Sequence, residues 1–560
     1  MTENPSILVA RLVVRTLADC GVRDVVYCPG SRSAPLAHAL DEAVRGGRIR
    51  AHVRLDERSA AFLAVGLSRG AGTGTRPAPV AVVTTSGGAV AELHAGIAEA
   101  SHARLPIIAV SADRPFEMRG VGASQTTRQA GIFAGHVRDE LDVPAGQEAG
   151  PRLAALVARL VAAARGFPTG TPGPVHLNIG LRDPLTPAPS SEGPSGACAD
   201  GAGGGGARVL ASAPTPVPWE EAVDPGLRTV VVAGDGDDPA VARWAAGRLP
   251  VLAEPTSRAR RLPEAVDHQQ SLLVGAACAQ GVEQVVVSGR PTLSRAVSAL
   301  LAREDVRIVV VDPSSQWTDV AGRAAVVAAA LGAPRGPVGE DEAAWLGEWR
   351  LASRRARGAV EALIDEADAA VPTTPAVARA VWRSGEGPLL LGASSCVRAA
   401  DLAAVGDPGR PVLSNRGLAG IDGTVATAIG VAAGSGTRVT ALMGDLTFFH
   451  DAGALAVPTD EEAPAVDLVV VDDHGGSIFA GLEHGRPEYA PVFDRWFATP
   501  QETSVEALAA AHGAEYARVE SMGAVREALV GTGAGGARVI HVPVESDPGL
   551  VAAIRDVLRR

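Results

Sequence analysis

The sequence predicts an α/β fold of three consecutive doubly wound blocks, each a parallel sheet flanked by helices. Short apolar runs rich in β-branched residues, such as PVAVVTTSGG and VDLVVVDDHGG, alternate along the chain with Ala-rich amphipathic stretches, the pattern of βα units. The chain has 560 residues, enough for about three or four domains by the usual length relation. A single low-complexity stretch, SSEGPSGACADGAGGGGAR from Ser190, interrupts the alternation and reads as a flexible linker.

The first block covers residues 1–188. VVYCPG, PVAVVTTSGG, LPIIAVSADRP and GPVHLNIG are its expected strands, and SAAFLAVGLSRG and AVAELHAGIAEAS its expected helices. The linker occupies 189–206. The second block, 207–355, has strands at RTVVVAGDG, QVVVSGR and VRIVVVDPSS, and leads out through the charged helix WLGEWRLASRRARGAVEALIDEADAA. The third block, 373–560, has strands at GPLLLGASS, RPVLSNRG, TRVTALMGD, VDLVVVDDHGG and ARVIHVPVES, with helices at TVATAIGVAAGSG and SVEALAAAHGAE. In such sheets ligands bind beyond the carboxyl ends of the strands, so those turns are where chemistry is expected.

Composition excludes several classes. No stretch of about 18 apolar residues exists, so no membrane span is expected. The N-terminus lacks the basic segment and cleavage site of a signal peptide. Cys20, Cys28, Cys198, Cys278 and Cys396 are scattered, which fits a reducing cytoplasm rather than a disulfide scaffold or zinc cluster. A net charge of −12 argues against nucleic-acid binding. All 51 basic residues are arginine, so Schiff-base chemistry and a Walker A lysine are both excluded.

Two acid signatures stand out at strand ends. Gly444-Asp445 alone reads as a turn with a helix cap. Asp473 ends the next strong strand 28 residues later, in DDHGG. Two carboxylates and a loop carbonyl on neighbouring strand ends suit a hard divalent cation that bridges to a diphosphate. Glu57, in LDERSAAFLAVGL, reads either as a first-turn acid favoured by the helix dipole or as a buried acid with a raised pKa. A metal-held diphosphate plus a separate carboxylic acid is what thiamine diphosphate requires. By contrast Gly234-Asp235-Gly236 has no acidic partner at that spacing and reads as a structural turn. In CPGSRSAPL the backbone amides of Gly30, Ser31 and Ser33 suit an anion, and Arg32 a carboxylate. Arg114, Arg295, Arg398 and Arg416 follow strands; each alone reads as a salt-bridge residue, while together they point to a polyanionic substrate.

On the strings CPGSRSAPL, LDERSAAFLAVGL, VTTSGGAVAEL, SADRPFEMRGVGASQTTRQ, SNRGLAGIDG, GDLTFFHD and DDHGGSIF, the chain resembles the thiamine diphosphate-dependent 2-succinyl-5-enolpyruvyl-6-hydroxy-3-cyclohexene-1-carboxylate synthases of menaquinone biosynthesis, over nearly its whole length. The resemblance implies a pyrimidine-binding domain, a central domain and a diphosphate-binding domain in that order. It implies a transferase that decarboxylates 2-oxoglutarate and adds the succinyl-semialdehyde carbanion equivalent to isochorismate. It casts Glu57 as the activating acid. Asp445, Asp473 and the carbonyl of Gly475 would hold Mg²⁺, with Mn²⁺ as the alternative. Ser394 would lie near the diphosphate, and Ile421 would keep the cofactor bent. Ser31, Arg32, Arg114, Gln125, Arg295, Arg398 and Arg416 would face substrate. The assembly implied is a homodimer or a dimer of dimers, with each site built from the first domain of one subunit and the third of its partner. Two positions depart from the family pattern: Asp472-Asp473 replaces a pair of asparagines, and Ser124 stands where an amide side chain is expected. The alternatives are another thiamine enzyme, such as an acetolactate synthase or a 2-oxo acid decarboxylase, and a noncatalytic anion-binding protein on the same fold. The joint presence of Glu57 and both metal acids argues against the last.

Overall fold

The computed structural model describes residues 4–72, 76–188, 214–367, 371–531, 533 and 535–559. The expected linker at 189–206 lies outside them. Among the described residues seventeen strands form three sheets, and every pairing between named strands is parallel. The first sheet contains β1 (Asp24–Tyr27), β2 (Arg50–Val53), β3 (Val80–Thr84), β4 (Ile107–Asp113), β5 (Glu140–Val143) and β6 (Val175–Gly180), in the order β2-β1-β3-β4-β6-β5. The second contains β7 (Thr229–Ala233), β8 (Val251–Ala253), β9 (Gln284–Ser288), β10 (Arg307–Val311) and β11 (Ala324–Ala328), in the order β11-β10-β9-β7-β8. The third contains β12 (Leu389–Leu391), β13 (Val412–Leu413), β14 (Val439–Gly444), β15 (Val466–Asp472), β16 (Glu515–Arg518) and β17 (Ala537–Pro543), in the order β13-β12-β14-β15-β17-β16. The expected strands and the expected fold class are present.

The residues form two compact units. One comprises Met1–Ser212, Asp422–Gly436 and Gly453–Pro464; the other comprises Ala213–Ile421, Thr437–Ala452 and Ala465–Arg560. In the first unit β3 and β4 are buried along their whole length, because helices cover both faces of a parallel sheet. The helix Glu57–Gly70 packs on the helix Thr424–Ser435 at glycines. A Cβ on Gly66 would stand 2.2 Å from the Thr427 carbonyl oxygen, and one on Gly430 would stand 2.3 Å from that of Leu63. The two backbones approach this closely only because both positions lack a side chain.

In the second unit, Gly234-Asp235-Gly236 is the structural turn the sequence predicts. It follows β7, and Asp235 forms a backbone bridge with Arg290. The next acid, Asp237, accepts the backbone N–H groups of Arg258 (2.8 Å) and Ala259 (3.2 Å), so it caps a turn of its own domain.

Candidate active site

In the first unit the site residues lie beyond the carboxyl ends of β1, β2 and β4. Asp56 caps the helix after β2, accepting from the N–H groups of Arg58 (2.9 Å) and Ser59 (3.3 Å). Glu57 is therefore not needed as the cap. Its half-buried carboxyl has a pKa raised by burial first, then by the charges of Asp56 and Glu92. The lead-in to this helix is held by Glu461, which accepts from Val53 N (2.5 Å) and from the Arg54 guanidinium (2.8 Å). After β1, Ser31 is exposed and Arg32 is buried. Arg32 Nη1 donates to the Leu181 carbonyl (2.9 Å) and faces Asp183 (3.3 Å), so part of this guanidinium serves its own domain; its Nε is buried without a hydrogen-bond partner among the described residues. After β4, Arg114 Nη2 donates to the Ser124 carbonyl (3.0 Å), which brings Arg114 and Gln125 together. Ser124 is exposed, and this carbonyl contact gives the unexpected serine a place that does not depend on its side chain.

In the second unit the acids gather at the ends of β14 and β15. Asp445 is 2% exposed and accepts from Leu446 N (2.7 Å) and from the Gly475 N–H. Its pKa is raised mainly by burial, and the charges of Asp473 and Asp472 push it further the same way. Burial and Asp472 also raise the Asp473 carboxyl, which hydrogen-bonds the Ser477 hydroxyl. Gly475 sits at φ +125°, where a Cβ would meet the Ala498 carbonyl oxygen at 2.2 Å, so this turn requires glycine. Asp472 has a different environment. His541 Nε2 lies 2.8 Å from its Oδ2, the backbone N–H of His474 donates to its Oδ1 at 3.1 Å, and His541 Nδ1 meets the Tyr516 hydroxyl at 2.8 Å. These contacts, the His541 bond foremost, hold Asp472 below the usual carboxylate range. The extra acid at the departure from Asn-Asn is thus matched locally by a histidine from β17.

A cavity of about 660 Å³ lies within this unit, and Arg295, Arg398, Asp473, Ser395 and Ser477 line it. Arg398 Nη1 donates to the Ser394 carbonyl (2.9 Å), at the residue preceding the helix Ser395–Ala403. Its pKa is lowered by desolvation and then by the charges of Arg416 and Arg295, which places three guanidinium groups in one electrostatic neighbourhood. Arg416 is 3% exposed. Its Nη2 donates to Thr292 Oγ1 (3.0 Å), while its Nε and Nη1 are buried with no hydrogen-bond partner among the described residues. Arg295 is largely exposed and pairs with Glu483 (3.2 Å). Ile421 lies half-buried in the loop between β13 and the helix Thr424–Ser435.

This donor chemistry fits the implied groups. Asp445 and Asp473 are neighbouring carboxyls whose pKa values burial raises, a pair whose ionised forms a cation would favour. The buried Arg416 guanidinium, whose Nε and Nη1 have no hydrogen-bond partner among the described residues, suits an anion. No group of three or more His, Cys, Asp or Glu side chains among the described residues is arranged for a metal. The sequence reading missed Thr292 and Glu254. Glu254 is 1% exposed and accepts from Leu293 N (2.7 Å). Burial pushes its pKa up to about 8, against the opposing pull of that N–H and of Arg416. A lone acid directly after a strand carries no sequence signal of that contact.

Residues 7–132 match the thiamine pyrophosphate enzyme N-terminal TPP binding domain, and residues 393–542 match the thiamine pyrophosphate enzyme C-terminal TPP binding domain. A crystal structure of benzoylformate decarboxylase from Polynucleobacter necessarius has the same fold: TM-score 0.66, 17% identity, with 96% of this chain and 99% of that chain covered. Fold and domains together define a thiamine pyrophosphate enzyme. Among its relatives are 2-succinyl-5-enolpyruvyl-6-hydroxy-3-cyclohexene-1-carboxylate synthases from Arthrobacter sp. (43% identical, 95% of this chain and 88% of the relative), Kineococcus radiotolerans (45%, 92% and 92%) and Nocardia farcinica (42%, 97% and 97%). The chain belongs to this synthase family. No described helix is long and apolar enough to cross a membrane.

Proposed function

We propose that the chain decarboxylates 2-oxoglutarate and adds the resulting four-carbon unit to isochorismate, as a cytoplasmic enzyme of menaquinone biosynthesis. The observation that carries this reading is the grouping of Arg295, Arg398 and Arg416 beside a cavity that Asp473 also lines. Both proposed substrates are carboxylates, and arginine grips a carboxylate through two parallel hydrogen bonds. When bound, thiamine diphosphate supplies a nucleophilic carbon and a sink for the electrons released by decarboxylation.

The chain's own residues do the rest. Asp445, Asp473 and the Gly475 carbonyl would hold Mg²⁺, or Mn²⁺ in its place, and Ser394 would contact the diphosphate. Ile421 would offer the cofactor an apolar surface. Glu57 holds a proton at its carboxyl oxygen for the pyrimidine ring, a role that its raised pKa favours. Arg295, Arg398 and Arg416 bind carboxylates, and Ser31, Arg32, Arg114 and Gln125 contact substrate from the first domain. Residues 1–188, 207–355 and 373–560 are the pyrimidine-binding, central and diphosphate-binding domains. A homodimer, alone or paired into a dimer of dimers, joins Glu57 of one subunit with the acids of its partner.

The test is product analysis by mass spectrometry. Protein, thiamine diphosphate, Mg²⁺ and 2-oxoglutarate are incubated with and without isochorismate. The reading predicts the adduct only when isochorismate is present. Succinic semialdehyde as the sole product in both reactions would make the chain a simple decarboxylase instead.

A further inference from the structure

The segment joining β4 to β5 carries Arg114 and Gln125, and its outer surface is open: Phe116 is 83% exposed and Val121 70%. Beneath it lies a buried polar network that the reaction does not use. Gln129 is 1% exposed. Its Oε1 accepts the Gly87 N–H (3.0 Å), and its Nε2 donates to the Ala112 carbonyl (3.2 Å) and to Asn178 Oδ1 (2.9 Å). Asn178, on β6, is fully buried. Its Nδ2 donates to Asp113 (2.9 Å) and Asp142 (2.8 Å), and its Oδ1 also accepts from the Ser111 hydroxyl (2.8 Å). Arg119 spans the same two acids, at 3.0 Å from Asp113 and 2.9 Å from Asp142, and its Nε donates to the Arg114 carbonyl (3.0 Å).

The other end of the network reaches Gln125. The Ser86 hydroxyl donates to the Gln125 carbonyl (2.9 Å), and Gln125 Nε2 donates back to the Ser86 carbonyl (3.2 Å). Gln125 adopts φ +55°, which few non-glycine residues tolerate without support. Gly87, at φ +83°, lies so close that a Cβ there would meet Gln125 atoms at 2.9 to 3.1 Å. The amide of Gln129 thus fixes the turn on which Gln125 rests and, through Asn178, the aspartate beside Arg114. Only an amide fits: a glutamate would turn a second oxygen toward two acceptors, and an apolar side chain would leave the Gly87 N–H unpaired.

We infer that Gln129 is a positioning residue for the synthase reaction, holding the Ser86-Gly87 turn so that Gln125 meets substrate in a fixed geometry. The inference rests on the reading of Gln125 as a substrate contact. Its test uses holoenzyme carrying Gln129→Met, Gln129→Glu, Gln125→Ala and the Gln129→Met/Gln125→Ala double variant. Steady-state kinetics are measured with both substrates, and hydrogen exchange over residues 86–88 and 114–129. Gln129→Met should raise KM for one carboxylate substrate about tenfold with kcat little changed, the effect of one lost hydrogen bond. Exchange should accelerate in those two segments and nowhere else. The double variant should have the KM of Gln125→Ala alone, because the two residues act in series. Unchanged exchange in Gln129→Met, or KM effects that multiply in the double variant, would overturn the inference. If Gln125→Ala keeps both KM values, the substrate reading of Gln125 fails by itself, and exchange alone then decides the positioning role. If Gln129→Met does not fold, Ser86→Ala removes the last bond of the same chain and replaces it in every comparison.

Discussion

Counted from their own first strands, the first and third sheets have the same strand order, 2-1-3-4-6-5. The turns at their strand ends differ. In the first sheet the third strand runs into Thr85, Ser86 and Gly87, and the fourth into Arg114. In the third sheet the same two strands run into Asp445 and Asp473, carboxylates whose pKa values are both raised. In the first sheet the acid with a raised pKa is Glu57, at the head of the helix after its second strand, which lies at the sheet's edge, while Asp142, against desolvation, is held low, mainly by Arg119 and Asn178. One frame therefore carries one raised carboxyl among paired charges in one copy and two adjacent raised carboxyls in the other. The strand order sets where the turns stand, and the turn residues set the chemistry.

The largest break in this comparison is expected at Glu57, the raised carboxyl of the first sheet. Glu57→Gln should lower turnover by about 10²- to 10⁴-fold, the usual reach of one general acid–base group, measured by single-turnover kinetics. Next comes the guanidinium cluster that accompanies the third sheet. Arg416→Ala should cost about 1.5–3 kcal/mol of substrate binding, a KM rise of roughly 10- to 100-fold. The more exposed Arg398→Ala should lose less, and cofactor affinity should hold in both.

Much of this was legible in the sequence. Buried strands such as β3, β4, β7 and β15 announce themselves because a sheet covered on both faces needs unbroken apolar runs. The edge strands β2, β5 and β16 did not, because half-exposed strands such as RAHV and EYAR carry polar residues that hide them. Asp445, Asp473, Arg295 and Arg398 stand out in the sequence because strand-end turns are few, and the structure brings Arg295, Arg398 and Asp473 to one cavity. The Asp472–His541 pair joins residues 69 apart in the chain, a spacing that no local pattern reveals. The helix contact at Gly66 and Gly430 had a signal that went unread: each glycine has another four residues on, at Gly70 and Gly434.

That contact gives a smaller effect. Gly66→Ala should lower unfolding free energy by about 1–3 kcal/mol, as overpacking does, read from a denaturant midpoint. The smallest effect concerns the fourth strands, which end in Asp113 paired with Arg119 in one sheet and in Asp472 paired with His541 in the other. Asp472 has a folded pKa of about 2, below its ordinary 3.8. The stability it adds is therefore complete above pH ~4 and is lost as pH falls toward 2. His541→Ala should cost about 1 kcal/mol at pH ~6 and progressively less below pH ~4, measured by chemical denaturation across that range.

The division of labour between the two sheets is tested most directly by calorimetric titration of thiamine diphosphate, with saturating Mg²⁺, into Glu57→Gln and Asp445→Ala. Glu57→Gln should bind the cofactor nearly as the wild-type protein does while failing to turn over. Asp445→Ala should bind it at least about tenfold more weakly, for want of one hard oxygen ligand. Equal loss of affinity in both variants, or none in Asp445→Ala, would contradict the assignment of the acid to one sheet and the metal to the other.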